Sequence, residues 1–496
     1  MEDLPNGFLN YPKKRPGFES AGDEIRRHMS DAEFGKVQTD YLESQKQALR
    51  DGWRVPDESA SEPGELHLFS ERRDAVKWGA DRKYRAQDVR SYMRIPSAGA
   101  ASSGPVFDFD ELDRIAETDR RWSWLEINLG AIQNNIMAIK ATLDPATLFM
   151  AVVKADGYGH GAVPCAKTAL NSGADYLGVA TVDEAMEIRQ GGIEAPILIL
   201  SEPPLASIPL LLGYNIMPSV ATVEFAVKYA EAADSIGAKA PYHLKVNTGM
   251  NRVGVRHEAV VDFLQTISFH RALQLVGTFT HFATADAQDT MDFNLQKARF
   301  EDALADMRAA AFDPGIVHAA NSAATIRYKD VHYDMVRPGI AMYGYFPCPE
   351  TYGALNLLPA MSVKARITQV NQVPVGEGVS YGLVHRSNGF AKTCTVPIGY
   401  GDGLNRALSG RIDFIMDGRT YPQVGTICMD QCMFEVDIRT RSGIGRIEPQ
   451  VGDEVIVVGE QGNAFVTIDQ MADMLGTLSY EVMIAFGNSR MPKMYV

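Results

Sequence analysis

The sequence predicts an α/β protein: a (β/α)8 barrel, then a C-terminal mostly antiparallel β-domain, with an N-terminal extension ahead of both. Three observations predict it. Between Trp122 and about Gly344, eight short β-like runs alternate with amphipathic helical runs, the pattern of a parallel sheet. Eight is the strand number that closes a barrel. From about Met361 onward, strand-like runs follow one another across Gly- and Pro-rich turns without crossover helices.

Taken in order, residues 1–120 form the extension, rich in charge, Pro and Gly. DAEFGKVQTDYLESQKQALRDGW and ERRDAVKWGADRKYRAQDVRSYMR suit surface helices, IPSAGAASSG suits a flexible linker, and no chemical motif appears. Residues 121–357 form the barrel, with strands in LFMAVV, DYLGVA, PILILS, NIMPSV, YHLKVN, LVGTFTHF, IVHAAN and MVRPGIAM. Segments such as TVDEAMEIRQ and TVEFAVKYAEAADSIG are the helices between them. A doubly wound open sheet competes, but it usually carries a nucleotide-binding glycine signature, and GYGHG is not one. Residues 358–496 form the β-domain, with strands in VKARITQVNQV, AKTCTVPIG, RIDFIMDG, CMFEVDI and DEVIVVG and one helical stretch, IDQMADMLGTLSYEVMIAF.

Composition narrows the function. A length of 496 residues implies two or three domains, and 46% apolar residues suffice for a large core. The net charge of −14 argues against nucleic-acid partners. No apolar run reaches membrane-spanning length, and MEDLPNGFLNYPKKRPGFES lacks the apolar core of a signal peptide. The five cysteines are sparse and odd in number, with no metal-ligand spacing, which predicts reduced thiols in the cytoplasm and no metal site.

In a barrel, chemistry sits at the C-terminal strand ends and in the loops after them. There the sequence places Lys154, Lys245 with Asn247, His281, Asn321 with Ser322, and Arg337 with Gly339 and Ile340. A lysine after the buried run AVV either reaches solvent or holds a ligand. The loops after strands seven and eight are the usual phosphate site, and here they offer a hydroxyl and glycine-exposed amides. A phosphorylated aldehyde cofactor suits this rim: Lys154 for a Schiff base, and Arg337 for the ring nitrogen of pyridoxal 5′-phosphate (PLP).

At these residues the sequence resembles the alanine racemase family of barrel-fold PLP enzymes. AVVKADGYGHG matches the family's PLP-lysine signature. LKVNTGMNRVG, THFATAD, ANSAAT, VRPGIAMYG, EGVSYG, IGYGDG and VGTICMDQ follow in the family's order and spacing, from about Trp122 to near the C-terminus. The resemblance implies an isomerase interconverting L- and D-alanine, which supplies D-alanine for peptidoglycan. Lys154 would carry PLP and exchange the α-proton on the D-alanine face. Tyr158, Asn321, Ser322, Gly339 and Ile340 would serve the cofactor and its phosphate, His281 would pack on the pyridine ring, and Arg337 would donate to its nitrogen. Arg252 and Met429 would contact substrate. Tyr381, from the partner subunit, would exchange the proton on the L-alanine face, so the resemblance implies a homodimer with shared sites.

Three features depart from the family pattern. Asn247 stands where an Asp is usual, two residues from Lys245, which many members carry as a carbamate. Gly487-Asn488-Ser489 stands where a substrate-gating tyrosine is usual, so the resemblance also admits a broader-specificity or serine racemase. The extension is absent from typical members. Asp402 and Asp430 suit either loop fixing or a part in the site. A barrel-type decarboxylase is disfavoured by the VSYG tyrosine, and a non-catalytic PLP-binding protein by the β-domain.

Overall fold

The computed structural model describes residues 116–437 and 448–496. The two helical segments and the linker expected within residues 1–115 lie outside the described residues. Strand β1 is Ser123–Ile127, followed by β2 Leu148–Val152, β3 Tyr176–Val179, β4 Ile197–Ile199, β5 Met217–Val220, β6 Ala240–Asn247, β7 Val255–Arg256, β8 Leu273–Phe279, β9 Ile316–His318 and β10 Met335–Val336. Strands β2 to β6 pair in sequence, β6 pairs β8, β8 pairs β9, β9 pairs β10, and β10 returns to β2. Every contact is parallel, and the ring is the expected eight-stranded barrel. Both faces of the ring are covered, which is why these strands read as nearly continuous apolar runs. An inner cluster of Met150, Leu198, Met217, Phe279 and Met335 fills the barrel. The helices pack outside, and Thr181 and Thr222 cap two of them by accepting from the amides of Glu184 and Phe225.

One strand is shorter than its sequence suggests. MVRPGIAM is extended only over Met335–Val336, and Ile340–Tyr343 form a 3-10 turn. Pro338 lacks an N–H for the ladder, so pairing stops before it.

The second sheet comprises β11 Met361–Arg366, β12 Gln369–Gln372, β15 Ala391–Val396, β16 Asp413–Met416, β17 Arg419–Val424, β18 Cys432–Asp437, β19 Glu454–Gln461, β20 Ala464–Val466 and β21 Lys493–Tyr495. The short pair β13 Gly378–Val379 and β14 His385–Arg386 stands apart as a hairpin. Strand β1 precedes the barrel in sequence yet belongs to this sheet, antiparallel to β11 and parallel to β21. The last residue closes against it: Val496 N–H donates to the Ile127 carbonyl at 3.0 Å, and Leu129 N–H to the Val496 carbonyl at 3.0 Å. Strand β17 escaped the sequence reading because Pro422 lies inside it. The expected single C-terminal helix is two, Ile468–Leu475 and Ser479–Gly487, parted where Gly476 takes a left-handed φ of 68°. Among the described residues, no helix is long and apolar enough to cross a membrane. All five cysteines are free thiols.

Candidate active site

Lys154 follows β2, and the chain behind it winds the wrong way. Ala155, Asp156, Gly157 and Tyr158 have φ of 52°, 54°, 60° and 53°, one turn of left-handed helix. Such backbone costs roughly 1–2 kcal/mol for each non-glycine residue. Local bonds offset the strain. Gly157 N–H donates to the Val153 carbonyl at 2.8 Å, Gly159 N–H to Ala155 at 2.9 Å, and Gly161 N–H to Asp156 at 2.8 Å. The Asp156 carboxylate accepts from Ala162 N–H at 2.8 Å and pairs with Lys493. Gly159 meets Gly487 so closely that a Cβ on Gly487 would lie 2.1 Å from the Gly159 Cα. Gly487 therefore serves packing between the lysine loop and the C-terminal helix.

The turn opens onto a cavity of about 320 Å³ at the C-terminal end of the barrel. Ten of the residues singled out in the sequence line it: Lys154, Tyr158, Lys245, Arg252, His281, Asn321, Ser322, Arg337, Gly339 and Ile340. Asn321 caps the helix Ser322–Arg327 through Ala324 N–H at 3.0 Å. Ser322 Oγ accepts from the amides of Gly339 at 2.9 Å and Ala341 at 3.3 Å. Gly339 is irreplaceable here, since a Cβ would come within 2.4 Å of the Tyr158 hydroxyl.

Four basic side chains, Lys154, Lys245, Arg252 and Arg337, converge on this space, so it suits an anionic ligand. Burial, and secondarily Arg252, lowers the Lys154 amine pKa, which favours the neutral nucleophile; Glu184 opposes the shift. Lys245 is pushed well below the usual lysine range by burial, then by Arg337, Arg252 and Lys154. Its Nζ lies 4.0 Å from the centroid of the Phe279 ring. Asn247 faces away into the TGMN turn, where its Oδ1 accepts from Gly249 N–H and Asn251 N–H, both at 3.1 Å.

Arg337 is held by neutral acceptors: the carbonyls of Thr280 at 2.8 Å and Ala319 at 3.0 Å, and His318 Nδ1 at 3.0 Å. An arginine can only donate, so His318 keeps its proton on Nε2 and gives it to His243 Nδ1 at 2.8 Å. Burial pulls the Arg337 pKa down to about 9, and holds His281 and His318 well below the histidine range. His281 Nδ1 lies 3.3 Å from Arg337 at the cavity wall.

Two residues singled out in the sequence lie elsewhere. Tyr381 and Met429 sit on the β-domain, 72% and 53% exposed, and do not line the cavity of their own chain. Tyr381 is flanked by Ser380 at φ 67° and Gly382 at φ 75°, a strained turn that turns the phenol outward. The two loops are joined, because Thr426 Oγ1 donates to the Tyr381 carbonyl at 2.8 Å. Asp402 is fully buried and binds Arg121 and Arg490, while Asp430 also pairs with Arg490. Both fix loops: Gly401 N–H beside Asp402 donates to the Met429 carbonyl at 2.9 Å.

Among the lining residues that the sequence reading did not single out are the ionisable Asp286 and Tyr480. Tyr480 comes from the C-terminal segment in which Gly487-Asn488-Ser489 was noted. The C-terminal segment does send a tyrosine into the cavity, from the start of the helix rather than its end, with its ring centroid 6.0 Å from that of Tyr158. An aromatic in the first turn of an apolar helix reads as core, which hid it.

Comparison with known proteins agrees with this architecture. Residues 127–347 match the family model for the N-terminal domain of alanine racemase, and residues 360–495 the model for its C-terminal domain. The alanine racemase of Desulfovibrio desulfuricans is 41% identical over 373 residues, which is 75% of this chain and 98% of that protein. That of Synechocystis is 38% identical over 380 residues, 76% of this chain and all of the relative. The crystal structure of alanine racemase from Bacillus anthracis with bound L-Ala-P superposes with a TM-score of 0.70 at 35% identity, covering 76% of this chain and 95% of that one. The alanine racemase of E. faecalis superposes with a TM-score of 0.69 at 37% identity, covering 76% and 99%. With the same two domains matched in the same order, this chain belongs to the alanine racemase family.

Proposed function

We propose that the protein is a PLP-dependent alanine racemase that interconverts L- and D-alanine. The observation that carries this reading is the cavity, where a lysine amine of lowered pKa faces a serine-and-glycine cradle across a wall of basic side chains. The residues fit PLP. Lys154 offers the amine for its aldehyde; Tyr158, Ser322, Gly339 and Ile340 line one wall of the cavity, with a hydroxyl and a glycine amide suited to its phosphate; Arg337 offers a donor for its ring nitrogen. When bound, PLP supplies a conjugated ring that takes up the negative charge left when the α-proton departs. A guanidinium can only donate, so Arg337 would offer the ring nitrogen a hydrogen bond while its other N–H groups are held by neutral acceptors. Asn321 and His281 line the remaining cofactor wall, and Arg252 answers a substrate carboxylate.

Racemisation takes a proton from one face and returns one to the other, so two bases must stand opposed. Lys154 serves the D-alanine face. Its opposite is Tyr381 of the partner subunit, with Met429 beside it. Support for a homodimer comes from the exposed Tyr381 turn, which also leaves Leu383 and Val384 uncovered. Incubation with PLP and L-alanine, followed by chiral chromatography beside a panel including L-serine, tests the assignment. Alanine is expected to reach a racemic mixture ahead of the panel. Turnover of serine but not alanine would redirect the specificity, and no turnover would sink the reading.

Lys245 completes the proposal as a carbamate. Burial and the neighbouring basic groups push its amine toward the neutral form, so addition of CO₂ with loss of one proton would place an anion beside Arg252. Carbon-13 bicarbonate is expected to give a carbamate resonance that vanishes in Lys245→Ala. A spectrum identical in both proteins would exclude it.

A further inference from the structure

The mechanism needs Lys154 aimed, and its backbone is gripped from both sides. On the strand side, Val153 N–H donates to the Gly178 carbonyl at 2.9 Å. On the turn side, Ala155 N–H donates to Glu184 Oε1 at 2.7 Å. Glu184 belongs to another βα unit, in the first turn of the helix Val182–Gln190 that follows β3. Its second oxygen does an ordinary capping task, accepting from the amides of Ala180 at 2.7 Å and Thr181 at 3.2 Å, while Thr181 Oγ1 accepts from Glu184 N–H at 3.2 Å. A capping box needs only that second oxygen. Oε1 is committed to the first peptide of the left-handed turn, where φ of 52° at Ala155 would otherwise relax toward the right-handed region.

We propose that Glu184 is a positioning residue for Lys154: its carboxylate pins the peptide that follows the lysine and so directs the amine into the cavity. The inference rests on the reading of Lys154 as the PLP-bearing residue. The far end of the turn has its own anchor in Asp156 and Lys493, so loss of Glu184 frees the lysine end alone. The negative charge acts in the same place, as the group that opposes Arg252 at the Lys154 amine.

Two variants separate this from helix capping. Glu184→Ala removes the cap and the bond to Ala155. Thr181→Ala weakens the cap and leaves that bond in place. The cofactor-free full-length proteins are mixed with PLP, the rise of imine absorbance is followed by stopped flow, and borohydride trapping with peptide mapping identifies the lysine. Both variants are expected to melt earlier than wild type. Only Glu184→Ala is expected to capture PLP more slowly, by about tenfold or more, with kcat falling and KM little changed. If Glu184→Ala does not fold, Glu184→Gln is used; with one acceptor turned into a donor, it is expected to slow capture in the same direction. Equal slowing in the Thr181 and Glu184 variants, or an unchanged rate in the latter, overturns the inference. Trapping at a lysine other than Lys154 in the wild type overturns the reading of the cavity, and this inference with it.

Discussion

Replacing Lys154 by alanine is expected to abolish racemisation, with kcat/KM falling on the order of 10⁴-fold or more. In the proposed reading the side chain has two tasks, covalent hold on the cofactor and proton transfer at one face, and no neighbour inherits both. Lys245 lies in the same cavity, but its Nζ sits against the Phe279 ring, 4.0 Å from the centroid. Arg252 has no primary amine with which to hold an aldehyde. Borohydride reduction of the PLP-treated variant should leave no cofactor on the chain, whereas the wild type should carry it on the peptide containing Lys154. Methylamine is expected to restore part of the exchange, since a small amine fits the space the side chain leaves. Residual racemisation above about one hundredth of wild type would assign the base elsewhere.

The second large effect belongs to Tyr381. Tyr381→Phe is expected to lower kcat/KM by roughly 10²–10⁴-fold while leaving the melting temperature nearly unchanged, because the exposed ring is retained and only a hydroxyl is lost. The loss should be one-sided. In deuterium oxide the variant should still exchange the α-proton of D-alanine, through Lys154, and fail to exchange that of L-alanine. Exchange of both enantiomers would remove Tyr381 from the mechanism. Mixing inactive Lys154→Ala chains with inactive Tyr381→Phe chains and allowing subunits to exchange should recover activity, because one site of the mixed dimer then unites an intact lysine with an intact tyrosine. Failure to complement would place both residues in one chain's site.

The barrel was legible because parallel strands buried on both faces write themselves as short apolar blocks, and the rim was legible because polar residues end those blocks. What escaped had opposing signals. Pro422 hid a paired strand, and Gly476 inside a helical pattern hid a break. Strand β1 lies within the residues assigned to the barrel but was not read as a strand, and it joins the other sheet. Tyr480 was concealed among apolar neighbours, and the grip of Glu184 on Ala155 spans 29 residues with no local trace. Lys154, Ser322 and Arg337 were readable one at a time; the left-handed turn that carries the lysine was not, since Ala155 and Asp156 do not ordinarily adopt it.

The clasp of the two ends has a consequence for synthesis. Strand β1 is among the first described segments to leave the ribosome, and β21, with Val496 beyond it, is the last. Every strand of the barrel is made well before the sheet holding β1 receives its final partner. Strand β1 therefore waits, through synthesis of the whole barrel, for both of its neighbours in the second sheet. Removal of β21 would leave every barrel strand in place and strip β1 of its parallel neighbour.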